Sequence, residues 1–240
     1  MPFAINDREE PSRVLLEGKI EVEGEMPWSS NTTLLVRLGV EGEDPLMAIY
    51  KPLRGERPLW DFPPGLYRRE VAAFELSRHL GWHLVPATVL RDDAPYGVGS
   101  IQRFVDADFS QHYFTLFEDE TTHVQLQYMC AFDLLINNTD RKAGHCLIDS
   151  KGQIWGIDNG LAFHQEFKLR TVIWEFGGHP IPAEILNDIE RLIEEGLPAS
   201  MTTLLDEGER EAVLDRASFI LNHKVFPIDS SRHRYPWPLI

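Results

Sequence analysis

The segment Asn138-Thr-Asp-Arg-Lys-Ala-Gly-His-Cys-Leu-Ile-Asp-Ser-Lys-Gly-Gln-Ile-Trp-Gly-Ile-Asp-Asn-Gly160 contains two short apolar runs with polar residues at their ends. Residues 149–152, Asp-Ser-Lys-Gly, separate the runs and are typical of a turn, so the pattern predicts a β-hairpin. A polar loop with Asp140 precedes the first run, and Asp158 directly follows the second. Because the hairpin reverses the chain, we expect both carboxylates at the same end of it.

The spacing of these polar residues indicates a phosphoryl-transfer site. Asp140 and His145 are five residues apart, the interval between the base aspartate and the metal-binding amide of a kinase catalytic loop. Asp158 follows at the place of the metal-binding aspartate of an Asp-Phe-Gly motif. Phosphoryl transfer needs charge neutralisation more than covalent help, and two carboxylates meet that need. The plain alternative is an ordinary polar turn, with Asp140 as a cap and Asp158 as a solvated strand end.

Composition limits the class of protein. The 240 residues are 43% hydrophobic, enough for a core in one domain or two lobes. A formal net charge of -15 repels polyanions, so neither nucleic acid nor an anionic membrane is an expected partner. The sequence has no apolar run of bilayer length and no signal pattern at its N-terminus, so we expect a cytoplasmic protein without an integral membrane segment. Cys130 and Cys146 share no metal-ligand spacing and are expected to be free thiols.

The first half of the chain holds a candidate ion pair. Leu46-Met-Ala-Ile-Tyr-Lys51-Pro52 is typical of an apolar strand that ends on a lysine. A helix is predicted over 67–80, with Glu70 in its first turn beside the apolar stripe, where it could reach Lys51. The alternatives are a strand-end lysine whose ammonium reaches solvent and a glutamate that merely favours the helix dipole.

The remaining elements predict two lobes. Residues 12–23 predict a hairpin or bent strand around Gly18, and strands are expected over 32–40, 84–90 and 96–105. The polar loop 24–31 is a candidate phosphate cover or a plain turn. A composition shift sets residues 1–105, with a sheet, one helix, the phosphate loop and the lysine, apart from residues 106–240. The second part holds the catalytic loop, the metal-binding aspartate, helices over 121–138 and 183–223, and a docked aromatic tail.

Four motifs resemble a phosphatidylinositol 3-/4-kinase-like catalytic domain in their order and separation. They are Tyr50-Lys51-Pro52, Arg68-Arg69-Glu70-Val71-Ala72-Ala73, Asp140-Arg-Lys-Ala-Gly-His145 and Ile157-Asp158-Asn159-Gly160. The chain is similar to small bacterial, actinobacterial-type proteins with this domain, from about Leu15 to the C-terminus. The resemblance implies an α+β, two-lobed protein-kinase-like fold with a β-rich N-lobe and a mainly helical C-lobe.

The resemblance also implies ATP with Mg or Mn in a cleft, and a role for several residues. Lys51 would hold the phosphates and pair with Glu70, and Asp140 would be the catalytic base. Asp158 and His145 would hold the metal. The other nucleotide-binding residues would come from the phosphate loop and from the strand that leads to the adenine hinge: Ser29, Ser30, Asn31, Gln102 and Phe104.

Three residues depart from the family pattern. His145 replaces a metal-binding Asn, and because imidazole favours softer, later metals, manganese is expected to serve better than magnesium. Lys142 replaces a loop His. Asn159 replaces the Phe of Asp-Phe-Gly, and loss of this apolar anchor is expected to loosen the packing of the metal-binding strand.

The expected function is ATP- and metal-dependent phosphotransfer to a hydroxyl acceptor. The alternative is a pseudokinase or nucleotide-binding module without chemistry. Metal-dependent hydrolysis without nucleotide would leave Lys51 and Glu70 without a role. The acceptor stays open among a protein, a small molecule and an inositol lipid, and adenylyl transfer with a reversed nucleotide stays open too. The lipid is less favoured, because residues 161–175 offer a charged headgroup only Lys168 and Arg170.

Overall fold

The computed structural model describes residues 10–27, 31–231 and 233–240 of the 240-residue chain. Within these ranges the chain forms helices and strands in the following order: α1 (Arg13–Glu17), β1 (Lys19–Glu25), β2 (Leu34–Gly39), β3 (Leu46–Pro52), α2 (Leu66–His79), β4 (Thr88–Arg91), β5 (Gly99–Arg103), α3 (Tyr113–Phe117), α4 (His123–Ile136), β6 (Cys146–Ile148), β7 (Ile154–Gly156), α5 (Ala183–Glu195) and α6 (Glu207–His223). Short 3-10 turns occupy 53–55, 120–122, 143–145 and 199–202. None of the described helices is long and apolar enough to cross a membrane.

The main sheet has the order β1-β2-β3-β5-β4, with every neighbouring pair antiparallel. In β3, Ala48 and Tyr50 are fully buried, while Ile49 and Lys51 are partly exposed. Successive residues of a strand lie on opposite faces, so Lys51 lies on the face opposite to the buried Tyr50. Its partner on the neighbouring strand β5 is Ser100.

Helix α2 is buried over most of its length, and Ala72, Ala73, Phe74 and Leu76 are at most 1% exposed. The core is one contiguous cluster that runs from Val14 to Phe226 and joins the sheet to the helices. A helix enclosed in this way is held by packing rather than by its own propensity. The boundary between residues 105 and 106 stays a prediction.

The predicted hairpin is confirmed. Strands β6 and β7 pair antiparallel, with Leu147 opposite Trp155. Asp149 stabilises the turn between them, because its Oδ1 accepts hydrogen bonds from the amides of Lys151 (2.8 Å) and Gln153 (3.0 Å). Helix α4 ends before Asn137, which has a φ of 54° and closes the helix in the left-handed conformation that Asn tolerates. The chain then enters the loop with Asp140.

The prediction for residues 12–23 is wrong in its first part, where a helix replaces the expected strand. Ser12 caps α1 by accepting a hydrogen bond from the amide of Leu15 at 3.2 Å, and Val14 and Leu15 are buried. The strand β1 begins only after Gly18, where a Cβ would lie 2.4 Å from the carbonyl oxygen of Val14. One helix was expected in residues 1–105, but the described part of this range has two, α1 and α2.

Two further boundaries differ from expectation. Strand β4 begins at Thr88 instead of 84, after Pro86, which has no amide hydrogen to donate to a sheet. Helix α2 begins at Leu66, so Glu70 lies just past its first turn instead of within it. The expected docking of the tail is observed, because the Phe226 side chain is buried and its amide donates to the His179 carbonyl at 3.0 Å.

Candidate active site

Lys51, Glu70 and Asp158 meet in one cluster. The Lys51 ammonium contacts the Glu70 carboxylate, and Lys51 Nζ lies 2.7 Å from Asp158 Oδ1. The Glu70 side chain is 3% exposed, whereas that of Asp158 is 49% exposed. The sheet, helix α2 and the end of β7 thus each contribute one charged group, and the half-exposed group is the one that an incoming ligand can reach.

Electrostatics keep Lys51 and Asp158 ionised. Burial opposes the charged form of Lys51, but the Asp158 and Glu70 carboxylates together raise the pKa of Lys51 above its usual value. The Lys51 ammonium is the main reason that the pKa of Asp158 lies well below its usual range. At neutral pH the cluster therefore presents an ammonium and a carboxylate side by side.

The backbone around Asp158 is held from three directions. Asp158 has a φ of 58°, the left-handed region that β-carbon-bearing residues rarely adopt. On its N-terminal side, the Ile157 amide donates to the His145 carbonyl at 3.0 Å, and the Ile157 carbonyl accepts from Arg141 Nη1 at 2.7 Å. On its C-terminal side, the Asn159 amide donates to Glu70 Oε2 at 3.0 Å. The unusual backbone angle is therefore over-determined by its neighbours.

Asp140 is oriented by the loop in which it lies. Its amide donates to Asn138 Oδ1 at 2.9 Å, and its carboxylate lies 3.0 Å from Lys142 Nζ. Burial raises the pKa of Asp140 while the Lys142 ammonium opposes the rise. A carboxylate with a raised pKa is better suited to accept a proton than an ordinary surface aspartate. In the sequence, Lys142 stood out only as a departure from the family pattern. Its position two residues after Asp140 was the available signal for a contact with this carboxylate.

His145 lies against Asp158, with 3.4 Å between His145 Nε2 and Asp158 Oδ2. Burial lowers the pKa of His145 to about 4, so the imidazole is neutral at pH 7. The amide of Lys142 donates to Nδ1 at 3.3 Å, so the hydrogen of the neutral ring lies on Nε2 and points towards Asp158. Ligation of a metal through Nε2 requires the other tautomer and the loss of the bond from Lys142.

A buried ion pair, which the sequence analysis missed, supports the loop. Arg141 and Asp133 are both 0% exposed, with Arg141 Nε 3.0 Å from Asp133 Oδ1. Arg141 Nη2 also donates to Asn159 Oδ1 at 2.7 Å. Helix α4, the loop with Asp140 and the segment after β7 are thereby joined through one guanidinium. The pair could not be read from the sequence, because Asp133 lies within an apolar helical pattern.

Asn159 does not loosen this region, contrary to expectation. Its side chain is fully buried, and besides accepting from Arg141 it donates through Nδ2 to the Gly156 carbonyl at 3.2 Å. Hydrogen bonds replace the apolar anchor that a Phe would supply.

The C-terminal tail reaches the catalytic loop. The amide of Ala143 donates to the Leu239 carbonyl at 2.7 Å, and Ala143 is fully buried. Upstream, the Arg234 carbonyl accepts from the Thr171 amide at 3.1 Å. The tail thus satisfies a backbone group of the loop that carries Asp140.

The remaining predicted nucleotide-binding residues are more scattered. Ser29 and Ser30 lie outside the described residues. Asn31 uses its side-chain oxygen to accept from the Arg57 amide at 2.9 Å. Gln102 is opposite Ile49 in the sheet, hence on the same face as Lys51, and its amide nitrogen donates to Thr88 Oγ1 at 2.9 Å. The Phe104 amide is bonded to the Met47 carbonyl at 3.0 Å, so this amide extends the sheet.

A small apolar cluster lies between the end of the sheet and the hairpin. Val105, Leu147 and Trp155 are its buried members, with Ala107 and Ile157 packed against them. Ile157 directly precedes Asp158, so the cluster adjoins the charged groups. The sequence analysis did not single it out, although the apolar runs of the hairpin were its signal.

Comparison with known proteins assigns the chain to a family. The model of the phosphatidylinositol 3- and 4-kinase family matches residues 77–204, just over half of the chain. The chain is also 36% identical to the Mycobacterium tuberculosis protein Rv2133c, over 98% of both sequences. The chain belongs to the phosphatidylinositol 3- and 4-kinase family. The predicted family is thereby confirmed.

One solved structure supports the kinase-like fold of this family member. The alignment with a structure of hydra Fam20 with sugar covers 87% of this chain and 85% of the Fam20 chain, with a TM-score of 0.56 and 13% identity. The Helicobacter pylori proinflammatory kinase CtkA covers 88% of this chain and 94% of its own, with a TM-score of 0.49 and 13% identity. The first likeness, together with the sheet and helices described above, confirms the predicted α+β kinase-like fold.

The side chains around Asp158 fit a divalent ion whose remaining ligands are supplied by phosphate and water. Among the described residues, no group of three or more His, Cys, Asp or Glu side chains is arranged to hold a metal. Asp158 is nevertheless half exposed and ionised, with His145 beside it. Mg²⁺ is usually held by one or two carboxylates, with waters and substrate phosphates completing its shell, so one available carboxylate suffices.

Proposed function

We propose that this chain is an ATP- and divalent-metal-dependent phosphotransferase that acts on a hydroxyl-bearing acceptor. The observation that carries the proposal is the 2.7 Å contact between Lys51 Nζ and Asp158 Oδ1, with Glu70 on the other side of the lysine. This arrangement supports the proposal, because kinases use a lysine that binds the phosphates together with an aspartate that holds metal. A cytoplasmic location stays a prediction from the sequence.

Lys51 would bind the phosphates, and Glu70 would orient its ammonium. Because the buried Glu70 also accepts from the Asn159 amide, it links the position of Lys51 to that of the segment after Asp158. Asp140 would orient the acceptor hydroxyl and take its proton, which its raised pKa favours. Lys142, 3.0 Å from Asp140, would counter the negative charge of the phosphoryl group in transfer.

Asp158 would hold the divalent ion, and His145 would be a second ligand in the tautomer that leaves Nε2 without a hydrogen. The ion, when bound, neutralises charge on the phosphate oxygens. The apolar cluster borders the end of β5, and its partly exposed members Ala107 and Ile157 offer a surface for the adenine ring. The Phe104 amide is bonded to the Met47 carbonyl, so it is not available to an adenine edge.

The test is a thermal-shift titration with a non-hydrolysable ATP analogue and Mg or Mn, followed by mass detection of self-modification and of ADP release. We expect a metal-dependent rise in Tm that is lost in Asp158→Ala. In Asp140→Ala we expect the rise in Tm to remain and turnover to be lost. Asp92→Ala, at an exposed position between β4 and β5, is the control for carboxylate removal. Unchanged metal-dependent binding in Asp158→Ala would falsify the assignment.

A nucleotide-binding protein without phosphotransfer is the second candidate, and the hydrogen bond from the Lys142 amide to His145 Nδ1 favours it. In the tautomer that this bond selects, Nε2 carries a hydrogen and cannot ligate metal. Nucleotide-induced stabilisation without turnover in either metal, and unchanged in Asp140→Ala, would select this candidate.

A further inference from the structure

Helix α2 carries Glu70, and the residue before Glu70 ties the same helix to a distant element. The Arg69 guanidinium contacts the Glu209 carboxylate at the start of α6, and their side chains are 4% and 9% exposed. Successive helix residues point about 100° apart, so Arg69 and Glu70 leave α2 in different directions. One neighbour reaches α6 while the other reaches the candidate active site.

Glu209 is itself fixed at the N-terminal end of α6. Its Oε2 accepts from the Asp206 amide at 3.0 Å, and its own amide donates to Asp206 Oδ1 at 2.8 Å, which forms a capping box. The carboxylate that faces Arg69 is therefore held by backbone as well as by charge. A shift of α2 would have to pull Arg69 away from an immobile, buried partner, which leaves two uncompensated charges.

Two further contacts hold α2 and the residues after it against the helical part of the chain. Glu75 Oε2 accepts from Ser200 Oγ at 2.7 Å, and Trp82 Nε1 donates to Asp188 Oδ2 at 2.9 Å. These contacts lie beyond Glu70, whereas the ion pair of Arg69 lies directly beside it. Of these three contacts, the ion pair is therefore the one nearest to Glu70 along the chain.

We propose that Arg69 and Glu209 form a brace between α2 and α6 that keeps Glu70 against Lys51 and against the Asn159 amide. Both are positioning residues, since they act on the site through Glu70. The brace holds Glu70 in place permanently, without a partner or modification. Its consequence for turnover rests on the proposed function, but its effect on the position of Glu70 does not.

The test is amide hydrogen exchange of the full chain without nucleotide, followed by mass spectrometry of the peptide that contains Asn159. In Arg69→Met we expect this peptide to exchange at least about 10-fold faster, because its amide loses the Glu70 acceptor. Arg68→Met is the matched control: Arg68 is the preceding residue, is exposed, and bonds to the Tyr67 hydroxyl. Peptides from α4 serve as an internal reference for global opening.

Two more variants keep the test decisive. Glu209→Gln preserves an oxygen for the Asp206 amide but removes the charge, so it should give the same local increase even if Arg69→Met folds poorly. Arg69→Lys should restore most of the protection, because Arg69 Nε has no hydrogen-bond partner among the described residues and the contact with Glu209 is made by Nη2. Wild-type exchange at Asn159 in both Arg69→Met and Glu209→Gln would overturn the brace.

Kinetics separate this inference from the proposed function. If the wild type transfers phosphoryl groups, Arg69→Met should lower kcat by about 10- to 100-fold with a smaller change in KM, because the defect is one of orientation. Arg68→Met should leave both constants unchanged. If the wild type binds no nucleotide but the exchange results are as expected, the brace stands and the phosphotransferase assignment fails.

Discussion

Lys51 and Asp158 are 107 residues apart in the chain, yet Lys51 Nζ lies 2.7 Å from Asp158 Oδ1. The contact joins the end of strand β3 to the segment that follows β7. Glu70, from helix α2, contacts the same lysine. Because one ammonium is shared by two carboxylates, the cluster carries a net negative charge that suits the binding of a cation. The predictions below test its energetics, its support and its metal preference.

The first prediction concerns the loss of the shared cation. Lys51→Met leaves the Glu70 carboxylate buried beside an unpaired Asp158, so the free energy of unfolding should fall by about 3 kcal/mol. Urea unfolding measures it. Lys19→Met is the control, because Lys19 forms a fully exposed ion pair with Glu21 and its loss should leave the stability nearly unchanged.

The double variant Lys51→Met/Glu70→Gln should regain part of the lost stability, since the uncompensated buried charge is gone. A single variant Lys51→Met as stable as the wild type would contradict the buried ion pair.

The second prediction concerns the support of the catalytic loop. Arg141→Met leaves Asp133 charged and buried and removes the donor to Asn159 Oδ1, so we expect a loss of about 3–5 kcal/mol. Denaturant unfolding measures it. Adding Asp133→Leu should recover stability without restoring nucleotide binding, because the loop and the Asp158 segment remain unlinked. Recovery of both properties would mean that Arg141 matters only as a counter-charge.

The third prediction concerns pH. The folded protein lowers the pKa of His145 from 6.5 to about 4, so the unfolded chain binds its proton more tightly. This contribution to stability is present above pH 6.5 and is lost as the pH falls towards 4. It should amount to about 2 kcal/mol between pH 7.5 and 5.

Comparing urea unfolding of the wild type and His145→Asn at both pH values isolates this contribution. The difference in stability between the two proteins should shift in favour of His145→Asn as the pH is lowered. A constant difference across the range would show that the imidazole is not held neutral.

The fourth prediction concerns the metal. An amide oxygen is a harder ligand than imidazole, so His145→Asn should raise the stabilisation by a nucleotide with Mg relative to that with Mn. Thermal shifts with a fixed ATP analogue and varied metal measure the ratio. His112→Asn is a control, because His112 belongs to the start of α3 instead of the cluster. An unchanged ratio in His145→Asn would place the imidazole outside the metal's ligand set.

Local patterns in the sequence predicted the hairpin, the strand that ends on Lys51 and the helix that carries Glu70. Each of these depends on apolar periodicity and turn residues within about a dozen neighbours, which a single sequence displays. The same patterns failed at residues 12–17, where a capped single turn of helix leaves too few residues for a period to be recognised.

The family, the order of the motifs and the residue types available to the site can be read from the amino-acid sequence alone. Four contacts appear only in the tertiary structure. Two are ion pairs, Arg141 with Asp133 and Arg69 with Glu209. The other two are the hydrogen bond from the Ala143 amide to the Leu239 carbonyl and the hydrogen bonds that hold Asn159. These contacts join elements that pack from distant parts of the chain. Their partners are set by how helices and sheet bury a common core, and no local spacing encodes that arrangement.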